Sequence, residues 1–197
     1  MNTSHIQTGT LAGAFLSPFD WARSLLLVIA FSLLTALAAQ VVIPLPYVPI
    51  TGQTFAVLLA GALLGSRLGA LAMLAYLLEG ASGLPFFYAG HGGLQHLLLS
   101  PTAGYLWSYP AAAFVVGLLA ERGWDRRFLT AAAAMCIGSA LILFSGWTWL
   151  ARFMPAAEAA RLGVAPFLAG DLIKIVLAAA VLPSGWALLR RTTRHED

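Results

Sequence analysis

Long apolar runs, separated by short breaks of proline, glycine or charged residues, extend along almost the whole chain. Such runs predict membrane-spanning helices, because about 20 apolar residues at about 1.5 Å each cross a hydrocarbon core of about 30 Å. The predicted helices cover residues 21–43, 53–65, 68–79, 105–119, 128–150 and 166–189. The predicted fold class is therefore an all-α integral membrane protein, with six transmembrane helices in a single domain of residues 1–197.

Three segments between the predicted helices are expected to lie on one side of the membrane. They are the proline-rich loop 44–52, the glycine-rich loop 80–104 and the connection 151–165. Loop 80–104 is also apolar, so we expect it to fold back over the protein as a lid rather than extend into water. The two short helices before it suggest backbone that lines a cavity, where broken membrane helices are tolerated.

Composition supports lipid as the main solvent of this surface. Hydrophobic residues make up 60% of the chain, charged residues make up 10%, and the mean hydropathy is +0.84. Soluble domains usually carry about 25% charged residues. The net charge of +3 is small and dispersed, so no nucleic-acid partner is expected. The first 20 residues hold no Lys or Arg, and we expect the first helix to be retained rather than cleaved as a signal.

Basic residues predict the orientation of the helices. Eight of the 11 Lys and Arg residues fall on one side of the six-helix arrangement. They are Arg23, Arg67, Arg122, Arg126, Arg127, Arg190, Arg191 and Arg194. Only Arg152 and Arg161 fall on the other side. Since positive loops favour the cytoplasm, both termini are expected inside, and the three loops with any binding site among them are expected outside.

The strongest chemical feature is a pair of ionisable residues, Asp171 and Lys174, inside the sixth predicted helix. Their spacing of three places them on one helix face. Charged groups in a span are expensive and usually functional. Two interpretations stay open: an ion pair that only lowers the insertion cost, or a ligand site in which the aspartate accepts hydrogen bonds and the lysine attracts a carboxylate.

Further candidates surround this pair in the predicted arrangement. Glu79 is either an interfacial carboxylate or a pocket acceptor that faces Asp171 and Lys174. Gln53 and Thr54 begin the second helix, where an N-cap or rim role is an equal alternative to ligand contact. The aromatic candidates at the same end are Tyr76, Phe87 and Tyr105.

No enzyme is expected, because the chain has no nucleophile elbow, no metalloprotease motif and no phosphate-binding glycine loop. Any ATPase would belong to a partner. His91 and His96 have no third ligand nearby, so neither a metal site nor a cofactor is predicted. An alternative from another functional class is a channel or facilitator in which the charged pair lines the transport path.

Four ordered blocks resemble the BioY family, whose members are substrate-capture (S) subunits of energy-coupling-factor (ECF) vitamin transporters. The blocks are VPITGQTF at 48–55, YLLEGASGLP at 76–85, SPTAGY at 100–105 and PFLAGDLIK at 166–174. The third block departs from the family's usual Gly-Pro-Thr-Gly-Gly-Tyr at its first and fourth positions.

The resemblance implies a six-helix S-component fold and high-affinity biotin capture at the cytoplasmic (inner) membrane of a prokaryote. It also implies that Asp171 and Lys174 take part in biotin binding. The implied partners are biotin, a transmembrane coupling subunit, ATP-binding-cassette ATPases and the lipid bilayer. The alternatives are an S subunit for another small vitamin, or a stand-alone biotin facilitator without an ATPase partner.

Overall fold

The protein is described by a computed structural model that covers residues 9–16 and 20–193. Nine α-helices and one two-stranded sheet account for most of this part of the chain. The elements are α1 (Leu11–Leu16), α2 (Trp21–Ala39), β1 (Val42–Ile43), β2 (Ile50–Thr51), α3 (Gln53–Leu64), α4 (Ser66–Ala81), α5 (Leu94–Leu99), α6 (Ala103–Glu121), α7 (Phe128–Leu150), α8 (Ala156–Gly163) and α9 (Ala165–Thr193).

Four helical segments are long and apolar enough to cross a membrane within the described residues. They are α2, α6, α7 and the run from Ala156 to Ala187, which contains α8 and α9 up to Ala187. Helices α3 and α4 have 12 and 16 residues, and α3 at about 1.5 Å per residue is shorter than a bilayer core. The multi-pass, mostly helical fold is therefore observed, while the count of six spans stays a prediction.

The first long helix ends earlier than the predicted residue 43. Asp20 caps its start by accepting a hydrogen bond from the Arg23 backbone N–H at 2.7 Å. It stops at Ala39 because the β-branched residues that follow pair as a hairpin, Val42 with Thr51 and Ile43 with Ile50. This hairpin encloses the proline-rich loop and leads directly into α3.

The junction of α3 and α4 is held by a carboxylate from another helix. Gly65 has φ +86°, a conformation that favours glycine, and it turns the chain between the two helices. Glu121, the last residue of α6, accepts hydrogen bonds from the Ser66 N–H at 2.7 Å and from Ser66 Oγ at 2.8 Å. The acid therefore caps α4 at its positive end.

Helix α6 is the centre of the bundle and contacts α3, α4 and α7. Small residues allow these approaches: a Cβ at Gly117 would overlap backbone atoms of Gly65 and Ser66, and one at Gly61 would overlap Ala113. Large apolar side chains are exposed along α2 and α9. Lipid is the solvent that such a surface fits.

The segments predicted as loops 80–104 and 151–165 contain helices of their own. Within the first lie α5 and a single turn at Tyr88–Gly90, and within the second lies α8. We call the end of the bundle that holds residues 40–52, 82–102 and 151–164 the lid end. Hydrogen bonds join the first two segments there, as in Gln40 Nε2 to the Phe87 carbonyl at 3.2 Å, and Trp147 Nε1 ties the third to α7 through the Ala156 carbonyl at 2.9 Å.

The opposite end of the bundle, which we call the far end, is closed by α1 and by the turn at Trp124–Arg126. Leu11 of α1 is buried and lies near Gly185 of α9. Trp186 Nε1 donates to Asp125 Oδ2 at 2.5 Å, and burial raises the pKa of Asp125. Arg126 stacks on the Trp186 ring at 4.6 Å. The predicted cytoplasmic residue Arg194 lies outside the described residues.

Candidate functional site

Asp171 and Lys174 lie one turn apart on α9, and both are largely buried. Lys174 Nζ is 3.4 Å from Asp171 Oδ1. The second carboxylate oxygen, Oδ2, accepts a hydrogen bond from Ser139 Oγ of α7. The carboxylate is thus shared between the lysine on its own helix and a hydroxyl on the neighbouring helix, which fixes its orientation.

Lys174 also joins α9 to the hairpin and to α3. Its ammonium donates to Thr54 Oγ1 at 2.7 Å and to the Thr51 carbonyl at 3.0 Å. With Asp171 as the third acceptor, each of its three protons has a partner. Two of the three partners are neutral, so most of the positive charge is compensated by a single carboxylate.

Gln53 extends this network towards α4. Its Oε1 accepts from Thr51 Oγ1 at 2.9 Å, and its Nε2 donates to the Tyr76 hydroxyl. The Tyr76 hydroxyl in turn donates to the Phe86 carbonyl at 3.1 Å, at the start of the lid. A continuous chain of hydrogen bonds therefore runs from α9 through the hairpin and α3 to the lid segment.

A cavity lies beside this network at the lid end. It encloses about 350 Å³ of space between the atoms, part of which opens to solvent. The lining residues are Val48, Pro49, Thr51, Gln53, Thr54, Tyr88, Thr102, Tyr105, Leu106, Tyr109 and Phe167. Its wall is therefore mainly aromatic and aliphatic, with hydroxyl and amide groups on the side of α3. Asp171 and Lys174 are not in the wall; Lys174 is one hydrogen bond behind it, through Thr51 and Thr54.

Tyr105 forms part of the wall and ties α6 to α8. Its hydroxyl donates to the Gly163 carbonyl at 2.7 Å, and its ring stacks with Phe167 at 5.9 Å. The ring lies so close to Gly146 of α7 that any side chain there would overlap it. The position of Tyr105 is therefore set by three other elements.

The lid segment is fixed mainly by Phe87 and by a glutamine from α2. Phe87 is fully buried, packs edge-on against Tyr76 at 5.7 Å and occupies the space beside Gly80. Gln40 Nε2 donates to the Phe87 carbonyl at 3.2 Å, while its Oε1 accepts from the Gly90 N–H at 3.0 Å. Phe87 thus anchors the lid, whereas the neighbouring Tyr88 reaches the cavity.

Two histidines stack within the lid. The His91 and His96 rings are 5.1 Å apart, and His96 also stacks on Phe87 at 5.4 Å. Burial and the nearby His91 lower the pKa of His96. No group of three potential metal ligands occurs among the described residues.

Glu79 is not brought to the charged pair. Its carboxylate accepts a hydrogen bond from Ser32 Oγ of α2. The alternative in which Glu79 faces Asp171 and Lys174 is therefore not the arrangement observed. The physical reason is that Ser32 offers this partly buried acid a closer donor.

Several residues of the site were missed in the sequence. Tyr109 and Phe167 line the cavity, Ser139 holds Asp171, and Gln40 holds the lid. Tyr109 could have been found, because it follows Tyr105 by one helical turn. Ser139 and Gln40 carry no local signal, since their partners are distant in the chain.

The comparisons with known proteins agree with this fold. The sequence model of the "BioY family" matches residues 5–191. Similar proteins include the "Probable biotin transporter BioY" of Pyrococcus horikoshii, 41% identical over 81% of this chain and 94% of that protein. Another is the "Biotin transporter BioY" of Thermotoga maritima, 38% identical over 77% of this chain and 88% of that one.

One solved structure is similar in fold, with a TM-score of 0.74 and 24% identity over 83% of this chain and 90% of that one. It is described as the S-component for biotin from an ECF-type ABC transporter, and it shows the S-component fold for the chain. The family expected from the four sequence blocks is confirmed: the chain belongs to the BioY family.

Proposed function

We propose that this chain captures biotin at the lid end and serves as the substrate-binding subunit of an ECF-type transporter. The named relatives are biotin transporters and not enzymes, which agrees with the expectation that the chain is not an enzyme. The observation that carries the proposal is the cavity itself, which joins an aromatic wall to a polar side backed by a buried lysine.

The chemistry of biotin fits these two sides. Its fused rings are apolar with a ureido group that donates and accepts, and its valerate chain ends in a carboxylate. Tyr105, Tyr109 and Phe167 supply apolar surface, and Gln53 supplies both an amide donor and an acceptor. The ammonium of Lys174 attracts the carboxylate once it exchanges a neutral acceptor such as Thr54 for the ligand.

Capture also requires the lid to move. Tyr88 and Thr102 lie in the cavity wall on the lid side, so a ligand enters by displacing this segment. The contacts that must part on opening are the hydrogen bonds of Gln40 with Phe87 and Gly90 and the packing of the buried Phe87 against Tyr76.

The remaining parts of the proposal concern topology and partners. Helices α2, α3, α4, α6, α7 and α9 form six spans in the inner membrane of a prokaryote, with the lid end outside and both termini in the cytoplasm. A transmembrane coupling subunit and ATP-binding-cassette ATPases supply the energy. The fold similarity to an ECF S-component supports this assembly.

Binding of radiolabelled biotin to the purified single chain tests the proposal. We expect saturable binding without ATP, and a higher melting temperature with biotin, because a ligand that binds only the folded state stabilises it. Competition by other vitamins separates biotin capture from capture of a different vitamin. Absence of both binding and stabilisation would contradict the capture function.

Variants of the charged pair locate the site. Asp171→Asn and Lys174→Met are each expected to weaken biotin binding at least about tenfold, since hydrogen bonds to charged groups contribute about 1.5–3 kcal/mol. Ile173→Met, on the lipid-exposed face of the same helix, is the matched control. A double variant that binds biotin like the wild type would assign the pair a structural role only.

A further inference from the structure

A second cavity lies on the outside of the bundle, between the start of α6 and the end of α7. It encloses about 450 Å³ of space between the atoms, part of which opens to solvent. The lining residues are Gly104, Trp107, Ser145, Thr148, Trp149 and Arg152. It shares no lining residue with the proposed biotin cavity.

The aromatic part of this second cavity is held in a fixed geometry. Trp107 and Trp149 lie nearly parallel, with their ring centroids 6.4 Å apart. Trp107 Nε1 donates to the Leu97 carbonyl at 2.8 Å, and Trp149 Nε1 donates to the Ser100 carbonyl at 2.9 Å. Both indole N–H groups are therefore used by the protein, and the rings present apolar faces to the cavity.

Arg152 supplies the positive charge of this cavity. Its guanidinium carbon lies 4.5 Å from the centre of the Trp149 ring. The single ion pair among the described residues joins Lys174 to Asp171, so no carboxylate in that part of the chain neutralises Arg152. Stacking on an indole orients the planar guanidinium and leaves its N–H edges available for a bidentate anion.

The two hydroxyl groups of the cavity act as acceptors. Ser145 Oγ donates to the Gly104 carbonyl at 2.7 Å, and Thr148 Oγ1 donates to the Ser145 carbonyl at 2.9 Å. Because each hydroxyl proton is already used, only oxygen lone pairs remain for a ligand. The cavity therefore offers a cation for an anion, and acceptors for hydroxyl groups next to that anion.

The position of the cavity identifies the source of such a ligand. Arg152 follows directly after α7, one of the helices long and apolar enough to span the membrane, so it lies at the depth of lipid phosphates. Trp107 and Phe153 beside it are about half exposed, as expected for rings at a lipid interface. We propose that this cavity binds the headgroup of an anionic phospholipid, its phosphodiester on Arg152 and its headgroup hydroxyls on Ser145 and Thr148.

Native mass spectrometry of the purified chain in detergent tests this site. Phosphatidylglycerol is titrated against phosphatidylcholine with the same acyl chains. We expect phosphatidylglycerol to bind first, and Arg152→Gln to weaken that first binding about tenfold, as the loss of one charged hydrogen-bonding group predicts. Arg161→Gln on α8 is the matched control, because it removes the same charge from an exposed position without an aromatic partner among the described contacts.

Three outcomes would overturn the proposal. They are equal binding of the two lipids, a change of less than about twofold in Arg152→Gln, and an equal loss in Arg161→Gln. Inorganic phosphate added at millimolar concentration distinguishes the two sources of the anion. Retention of the lipid supports a lipid site, while complete displacement would reassign the cavity to free phosphate.

Discussion

Lys174 lies one hydrogen bond behind the wall of the first cavity, and its surroundings explain how a charge is kept inside a span. Removing an ammonium from water is expensive unless its protons are satisfied. The protein meets this requirement with Thr51, Thr54 and Asp171. Because two of these acceptors are neutral, an anionic ligand can replace one of them without leaving an unpaired carboxylate behind.

At the same scale, His96 makes the stability of the lid depend on pH. Its folded-state pKa is lower than in the unfolded chain, so the folded state favours the neutral ring. Its contribution is fully present above about pH 6.5, the usual histidine value, and is lost as the pH falls through that value towards the folded pKa. We expect the melting temperature to fall more between pH 8 and pH 5 in the wild type than in His96→Phe. The phenyl ring keeps the stacking on Phe87 but does not titrate.

An equal fall in both proteins would show that other groups control the acid sensitivity. His91→Asn is a second check, since removal of the neighbouring imidazole removes one of the two causes that lower the pKa of His96. The fall in melting temperature between pH 8 and pH 5 is therefore expected to be smaller in His91→Asn than in the wild type as well. Both measurements use the purified chain and need no ligand.

Sequence reasoning found the charged residues of the candidate site and Thr54, which accepts a hydrogen bond from Lys174, but not the other groups that hold the pair. Asp171 and Lys174 were predictable because ionisable side chains in an apolar membrane helix are costly and usually functional. The Thr51 carbonyl is a backbone group, so its role cannot be inferred from the type of residue at that position. Gln40 looked like the polar end of a helix, and its role became visible only when the fold brought the lid segment against it.

At the scale of elements, close contact between helices explains why the short helices α3 and α4 fit the bundle. Glycine allows α6 to lie directly against the α3–α4 junction, where Gly117 meets the backbone of Gly65 and Ser66. Glu121 then caps α4 from the end of the same helix. Packing and capping thus act together on a junction that is too short to be stable alone.

Gly117→Ala tests this contact. The new methyl group would overlap backbone atoms, which cannot rotate away as a side chain would, so we expect a loss of about 1–3 kcal/mol in stability. Gly170→Ala is the control, because its Cβ would meet only Ile50 Cγ2 at an ordinary 3.9 Å. Thermal unfolding in detergent measures both, and equal stability of the two variants would contradict the close-contact explanation.

Element boundaries were predictable where the chain changes composition sharply. Helix α7 has the predicted bounds 128–150, since it starts after a charged cluster and stays apolar throughout. The prediction extended α2 through Ile43 because hydropathy alone cannot distinguish a buried helix from a β-branched hairpin strand. It also treated α5 and α8 as loop, because their few residues fold on contacts with α6 and α7 rather than by their own propensity.

At the scale of the whole molecule, the two ends of the bundle differ in chemistry. The lid end carries the two cavities, the aromatic residues that line them, and the basic residues Arg152 and Arg161. The far end carries Arg67, Arg122, Arg126 and Arg127, together with the cap made by Glu121 and the hydrogen bond from Trp186 to Asp125. The structure brings the three predicted external segments together at one end. The sequence could suggest this arrangement only because successive predicted helices cross the membrane in alternating directions.

This asymmetry predicts which end faces the cytoplasm. Positive residues near span ends are retained inside, so the far end is expected in the cytoplasm and the lid end outside. Single cysteines at Arg127 and Arg161 test the orientation in intact cells with a membrane-impermeant maleimide, in a background in which the exposed Cys136 is replaced by Ala. We expect Arg161→Cys to react from outside and Arg127→Cys to react only after the membrane is opened. The reverse pattern would place the proposed biotin cavity on the cytoplasmic side, where capture from the medium is impossible. Labelling of both from outside would contradict the assignment of Arg127 and Arg161 to opposite ends.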